Sequence, residues 1–403
     1  MGTSRLVSLD LDDGRLPSAL LAALDARYVA AKSNTATQNH QVIVIGDSID
    51  AGGDDDQGTR PYWSGSVWSL TALLSRGRFS LVRNEGIGGQ ATQQMLDRFR
   101  TAVLDRRPGI VIIGGGRNDL NGGVATETTR ANIVSMVDQA QSAGIHPVLH
   151  TTPPVDVAGG GAFNTVASNR AGTIAHNTWL RSLALQRGIE LIDLWRLWAD
   201  PATGGYLSGY SLDGIHPTGD AVDRAARALA LGLLPPVFNA TSSLPVGNLD
   251  PTNLWANPLL LATNGTAVPD QWYAPTPAPV SITPTALGNR MNLALTGSQL
   301  LVYGPGLKVA SSVSPGDIVA FSGEVTASGG NVTVTAQILN QDYQAIATPV
   351  GGFSRIIEDG VFYQEYKVEA SVTNIFLQFA GNGTGSVGLR RPVLRNLTKL
   401  GIR

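Results

Sequence analysis

Four short blocks hold the residues that could do chemistry. Ile45–Gly46–Asp47–Ser48–Ile49–Asp50–Ala51–Gly52 carries a serine behind an aspartate, and Asn84–Glu85–Gly86–Ile87–Gly88–Gly89 ends on a glycine pair. Gly114–Gly115–Gly116–Arg117–Asn118–Asp119 offers a side-chain amide, and Asp213–Gly214–Ile215–His216 places a carboxylate three residues before an imidazole. A serine hydroxyl is a weak nucleophile until a base within hydrogen-bond reach takes its proton, and that base needs a third group to fix its tautomer. Ser48 can attack, His216 can serve as base and then acid, and Asp213 can orient His216 from the same tight loop. The oxyanion formed by such an attack needs preorganised donors. The backbone N–H of Gly89, the side-chain amide of Asn118 and the backbone N–H of Ser48 are candidates. Taken singly, each block is ordinary: Gly46–Asp47–Ser48 suits a solvated turn, Asn118–Asp119 a turn pair, and His216 a surface histidine. Together and in order, they specify a site.

The elements around them support that placement. Apolar runs at Val42–Ile45, Phe79–Val82, Ile110–Ile113, Pro147–Leu149 and Ile189–Leu194 do not alternate with polar residues, which suits strands covered on both faces. Helical periods lie between them, at Thr126–Ala143 before Gly144, at Val166–Arg187 before Gly188, and at Gly219–Leu231 before Pro235–Pro236. Alternation of strand and helix predicts a parallel sheet in a three-layer α/β domain, where loops at the C-terminal strand ends carry function. The first three blocks follow predicted strands, and the fourth lies late in the domain.

These blocks in this order resemble the GDSL-type hydrolases, the SGNH hydrolase superfamily, over about residues 41–234. The resemblance implies a flavodoxin-like α/β/α sheet and hydrolysis of esters, thioesters or amides through an acyl-serine. It implies Ser48 as nucleophile, Gly89 (or its neighbour Gly88) and Asn118 in the oxyanion hole, and Asp213 and His216 as the Asp-x-x-His pair. Ile49 stands where leucine is commonest in the family.

Beyond Pro236 the composition changes. Only 18 of the 163 residues from Thr241 to Arg403 are charged, helical periods stop, and β-rich segments appear at Asp317–Val325, Asn331–Leu339, Tyr363–Ala370 and Asn374–Phe379. An all-β sandwich is predicted. The opening Asn253–Leu254–Trp255–Ala256–Asn257–Pro258, the Pro269–Asp270–Gln271–Trp272 segment and the closing Val387–Leu394 strand resemble jelly-roll carbohydrate-binding modules. Aromatics on a low-charge β surface suit sugars, while the alternative is that Trp255 and Trp272 fill the core. The expected organisation is an N-terminal helical arm and linker (1–38), a catalytic domain (39–238) and a β-sandwich (239–403).

Other candidates have bland alternatives. Asp54–Asp56 could bind a cation but reads as a solvated loop. Tyr62, Trp63, Trp68, Trp195 and Trp198 could wall a sugar pocket or pack in a core. His150 could line the cleft beside a Thr151–Thr152–Pro153–Pro154 loop, although a structural role is favoured. No cofactor and no metal is expected.

Bulk properties bound the remaining classes. The 403 residues are 43% hydrophobic and 15% charged, with 29 basic against 31 acidic residues and a formal charge of −2, so there is no basic footprint for nucleic acid. The absence of cysteine excludes disulfides, thiolate nucleophiles and cysteine-ligated metals. No apolar run reaches the length of a membrane span, and Met1–Arg15 has no signal-type apolar region. The stretch Arg15–Val29, with Leu20, Leu24 and Tyr28 on one stripe, is similar to segments before enzymatic domains of bacteriophage tail proteins. It is a candidate for virion attachment or self-association, and a virion would be one route outside the cell. The leading expectation is a polysaccharide O-acetyl esterase whose C-terminal module holds the polymer. The alternatives are a lipid esterase, lysophospholipase or thioesterase, and a non-catalytic glycan-binding tail protein. Under the leading expectation, deleting residues beyond about 240 weakens action on polymers more than on small esters, whereas equal losses indicate a folding role.

Overall fold

The computed structural model describes residues 41–52, 65–156 and 166–235, and most of 237–401. The expected arm over residues 1–38 lies outside the described residues, as do Asp54–Asp56, Tyr62 and Trp63.

Strand β1 (Gln41–Gly46) leads into helix α1 (Ser48–Ala51) and then α2 (Val67–Leu74). Next come β2 (Ser80–Gly86), α3 (Thr92–Ala102), β3 (Ile110–Ile113), α4 (Arg117–Gly122) and α5 (Thr126–Ser142). The sequence continues with β4 (His146–His150), α6 (Val166–Arg187), β5 (Glu190–Ile192), α7 (Leu194–Trp198) and α8 (Gly219–Ala228). The five strands are parallel and pair in the order β2-β1-β3-β4-β5.

Side chains alternate across a strand, and β1 shows what that does in a doubly covered sheet. Val42 and Val44 enter one core with Trp68 and Leu70 of α2 and Val222 and Ala225 of α8. Ile43 and Ile45 enter another with Phe99 of α3, Ile133 of α5 and Leu180 of α6. Each such buried side chain is worth roughly 1.5–3 kcal/mol. The result is a three-layer, flavodoxin-like α/β/α fold. Strand order reverses between β1 and its neighbours β2 and β3, which opens a crevice at the C-terminal ends.

Two elements depart from the sequence expectation for visible reasons. The apolar run Ile189–Leu194 divides because Asp193 caps α7, its carboxylate accepting the Arg196 N–H at 3.3 Å. The helix expected over Gly219–Leu231 leaves α-geometry at Ala228 and continues as a wider turn over Leu229–Leu233.

The remaining strands are β6 (Val280–Pro284), β7 (Asn289–Thr296), β8 (Leu300–Tyr303), β9 (Leu307–Lys308) and β10 (Ile318–Ser328), followed by β11 (Thr333–Leu339), β12 (Ala345–Phe353), β13 (Ile357–Lys367), β14 (Asn374–Asn382) and β15 (Thr384–Asn396). They form two antiparallel sheets, β13-β10-β15-β7-β6 and β12-β11-β14-β8, with β9 pairing β14. Met291, Phe321 and Leu394 of the first sheet and Ile338, Leu377 and Phe379 of the second fill one core. Trp255 and Trp272 are buried in that core, Trp255 with its ring 5.9 Å from Phe321. They are packing residues, not a sugar-facing surface.

That core is continuous with the α2 side of the parallel sheet. Phe79 and Phe238 meet with ring centroids 4.9 Å apart, and a Cβ on Gly360 of β13 would lie 2.9 Å from Leu73 Cγ of α2. At the start of β1 the Gln41 side chain bonds to Tyr363 and Glu365, and Arg227 donates to the Ile356 carbonyl at 2.7 Å. Among the described residues no helix is long and apolar enough to cross a membrane.

Candidate active site

Asp47 ends the approach to α1 as its N-cap. Its carboxylate accepts the Ile49 N–H at 2.9 Å, and its own N–H donates to Asp50 Oδ2 at 3.2 Å, closing a reciprocal cap. Ser48 is therefore the first residue of a helix, where a backbone N–H has no intrahelical partner. Its Oγ lies 2.9 Å from His216 Nε2, and His216 Nδ1 lies 2.6 Å from Asp213 Oδ2.

The loop carrying the last two residues is held by its own groups. Asp213 Oδ1 accepts the N–H groups of Ile215 and His216, each at 2.8 Å. Ser211 Oγ donates to the His216 carbonyl at 2.8 Å and accepts the Gly214 N–H at 2.9 Å. Partial burial works to raise the Asp213 pKa, but the hydrogen bonds from the His216 side chain and from the two backbone N–H groups prevail and hold it down at about 2. The pair is open to solvent, with His216 46% and Asp213 52% exposed.

Gly88 and Gly89 are both exposed in the turn closed by Gln90 N–H to the Ile87 carbonyl at 3.4 Å. Gly89 has φ +76°, in the left-handed region that favours glycine, with open space where a Cβ would stand. Asn118 donates one amide proton to the Gln90 carbonyl at 3.0 Å, which ties the third block to this turn and leaves the second proton of the amide for another acceptor. Asp119 anchors the same region from below, accepting the Thr92 N–H at 2.9 Å and the Thr92 hydroxyl at 2.5 Å at the start of α3.

For the residues with two readings, the structure favours the structural one. His150 is buried, not cleft-lining, and so are Thr151, Thr152, Pro153 and Pro154. The carbonyls of Pro153 and Pro154 accept from Arg117, 2.5 and 3.1 Å away. Arg117 is only 1% exposed and was not singled out in the sequence; its place between Gly116 and Asn118 was the available signal. Trp68 is core and donates its indole N–H to Asp50 at 2.7 Å. Trp198 is core and donates to the Ala221 carbonyl at 2.8 Å. Trp195 lies near the Arg181 guanidinium, 5.8 Å away.

Two buried titratable groups under the site respond oppositely to acid. Burial lowers the His176 pKa to about 4, while burial and the neighbouring Asp50 raise the Asp47 pKa to about 6. Between about pH 6.5 and 4 the unfolded chain takes up the His176 proton and the folded chain does not, so stability falls as pH falls, by up to about 3 kcal/mol. Asp47 contributes with the other sign, because the folded state binds its proton first. The two contributions nearly offset each other in wild type, so His176→Gln is expected to unmask the Asp47 contribution, with Tm rising from pH 6.5 to 4 relative to the wild-type profile. A profile parallel to wild type would refute the assignment.

Residues 44–224 match the family model of the GDSL-like Lipase/Acylhydrolase family. This part of the chain is a GDSL-like (SGNH) acylhydrolase domain, of the esterase class. Its similarity extends to the uncharacterized lipoprotein YqeF of Bacillus subtilis (strain 168), 29% identical over 184 residues that make up 41% of this chain and 74% of the relative. Among solved structures, a lipolytic protein of the G-D-S-L family from Desulfitobacterium hafniense is 24% identical over 48% of this chain and 99% of its own, with a TM-score of 0.39. An acylhydrolase from Bacteroides fragilis is 23% identical over 55% and 100%, with a TM-score of 0.41. An acetylxylan esterase from Geobacillus stearothermophilus is 17% identical over 48% and 94%, with a TM-score of 0.39.

Proposed function

We propose that Ser48, His216 and Asp213 form the triad of a serine esterase that removes O-acetyl groups from a polysaccharide. The observation that carries this reading is the unbroken chain of contacts, 2.9 Å from Ser48 Oγ to His216 Nε2 and 2.6 Å from His216 Nδ1 to Asp213. His216 Nε2 takes the Ser48 proton as Oγ bonds to the ester carbonyl carbon. The oxyanion is met by the N–H groups of Ser48 and Gly89 and by the free amide proton of Asn118. His216 then gives that proton to the departing sugar oxygen, which leaves as a free hydroxyl, and acetyl-Ser48 remains. Water, deprotonated by His216, attacks that ester, and as acetate leaves His216 returns the proton to Ser48 Oγ. Asp213 holds the imidazole in the tautomer with Nε2 unprotonated and stabilises its cation, and a carboxyl with a pKa near 2 keeps its charge throughout.

Two features support a polymeric sugar substrate. The half-exposed histidine and aspartate suit an acyl group presented on a large molecule. The outer face of the β12-β11-β14-β8 sheet also shows aromatic rings rather than charges. Tyr343 is 59% exposed and stacks on Phe376 at 5.6 Å and 10°, with Tyr303 edge-on at 5.6 Å, and Gln378 stands opposite Tyr303. Rings and amides of this kind match the apolar faces and hydroxyls of pyranoses.

The test is acetate release from a panel of acetylated polysaccharides, with p-nitrophenyl acetate and a long-chain p-nitrophenyl ester beside it. Release from a polymer is expected, and preference for the long-chain ester would overturn the sugar reading. Asn118→Ala should lower kcat by about 10²–10³-fold with Tm nearly unchanged. A full rate in that variant would remove Asn118 from the oxyanion hole.

A further inference from the structure

Beneath the nucleophile lies a second histidine–carboxylate pair that takes no part in the proposed proton transfers. Asp50, on the buried side of α1, and His150, the last residue of β4, are separated by 100 positions in the chain and are both shut off from solvent. His150 Nε2 lies 2.9 Å from Asp50 Oδ1, in a contact bent away from a linear hydrogen bond, and His150 Nδ1 lies 3.1 Å from the Thr151 carbonyl. Each ring nitrogen thus lies within about 3 Å of an oxygen that can only accept. A nitrogen without a proton at that distance from a carboxylate or a carbonyl would set lone pair against lone pair. The state that relieves both contacts has hydrogen on both nitrogens, which makes His150 a cation.

Asp50 in turn grips the nucleophile helix from three sides. Its Oδ2 accepts the Asp47 N–H, its Oδ1 accepts Trp68 Nε1 at 2.7 Å, and its own carbonyl accepts Asn84 Nδ2 at 2.8 Å and Ser66 Oγ at 3.1 Å. The pair lies across the ends of β1 and β3, and those ends are glycine for that reason. A Cβ on Gly46 would stand 1.8 Å from Asp50 Oδ2, and one on Gly114 would stand 1.9 Å from His150 Nε2. The Trp68 ring closes the other side, 5.2 Å from the His150 ring.

We propose that Asp50 and a protonated His150 are positioning residues, a charged clamp that fixes α1 against β4 and so sets where Ser48 Oγ stands relative to His216. This rests on the triad reading above. The charged groups that act on the clamp are Asp47 on the β1–α1 connection and, through Asp47, Arg117 on α4. Among the described residues the remaining neighbours are neutral: Ser66, Trp68, Asn84, Gly114 and Thr151. Burial alone would lower the His150 pKa, but the adjoining Asp50 charge and hydrogen bond and the Thr151 carbonyl outweigh it and raise it.

The experiment compares wild type, Asp50→Asn, His150→Gln and the double variant in the full chain. It measures kcat and KM on p-nitrophenyl acetate, the rate at which an organophosphonate labels Ser48, and Tm. Each single variant is expected to label and turn over about 10²-fold more slowly, as a nucleophile displaced by about an ångström would, with KM within about twofold of wild type. The double variant, a neutral hydrogen-bonding pair, is expected to regain Tm but not the rate. Long-range ¹⁵N spectra of wild type should show both His150 nitrogens protonated at pH 8. A neutral His150, or variants whose Tm falls while labelling and kcat stay at the wild-type rate, would overturn the clamp. If the single variants do not fold, the double variant and the ¹⁵N spectra decide. If wild type itself is not labelled at Ser48, it is the triad reading that has failed.

Discussion

Ser48→Ala is expected to lower kcat on any ester the protein cleaves by about 10⁴-fold or more while leaving Tm within a degree or two of wild type. The two halves of this expectation have separate grounds. The hydroxyl is the atom that forms the covalent bond, so no rearrangement of His216 replaces it. Its loss costs the fold little, because among the described residues its hydrogen bond reaches a histidine that is itself 46% exposed. Residual turnover measured on p-nitrophenyl acetate would come from oxyanion donors acting on attacking water. Turnover close to wild type would sink the nucleophile assignment.

The second large effect concerns the C-terminal sheets. A chain ending near residue 240 is expected to lose small-ester and polymer hydrolysis together, with a collapsed Tm or poor solubility. Helix α2 carries the reason: Val67, Trp68, Ser69, Leu70, Thr71, Ala72 and Leu73 are all buried, so this helix is enclosed on every side. A helix apolar all round must be covered all round. The parallel sheet covers one side, and β13, with Gly360 against Leu73, covers another. Uncovering a few such side chains at roughly 1.5–3 kcal/mol each approaches the whole stability of a typical protein, about 5–15 kcal/mol. The structure therefore favours equal losses over the polymer-selective loss that low charge and surface aromatics suggested. A soluble, cooperatively melting fragment with full p-nitrophenyl acetate turnover would overturn this reasoning.

The contrast shows which features a linear sequence can reveal. The five parallel strands were legible because Ile110–Ile113 and its counterparts are apolar on both faces, a local property. The Asp213–His216 pair was legible because its geometry is settled within four residues. Asp50 and His150 were not legible as partners, since they meet only once β1, β3 and β4 lie side by side in register. The trace they leave in the sequence is negative, the missing side chains of Gly46 and Gly114. Trp255 and Trp272 stayed open between sugar surface and core for a related reason: low charge marks a β segment as suited to sugars but does not say which rings face outward. Tyr343 and Phe376 face outward instead, brought together by the turn between β11 and β12.

The loop from Ser211 to His216 has a mechanical consequence. Asp213 binds the backbone N–H groups and the ring of the histidine it orients, and Ser211 ties the loop to its own last carbonyl. Base and orienter are therefore set in place as one cassette. Tyr206, whose hydroxyl donates to the Ile215 carbonyl at 2.5 Å, and Asp156, whose N–H donates to the Gly214 carbonyl at 2.8 Å, seat that cassette on the domain, so the reach of His216 to Ser48 depends on two contacts that touch neither catalytic side chain.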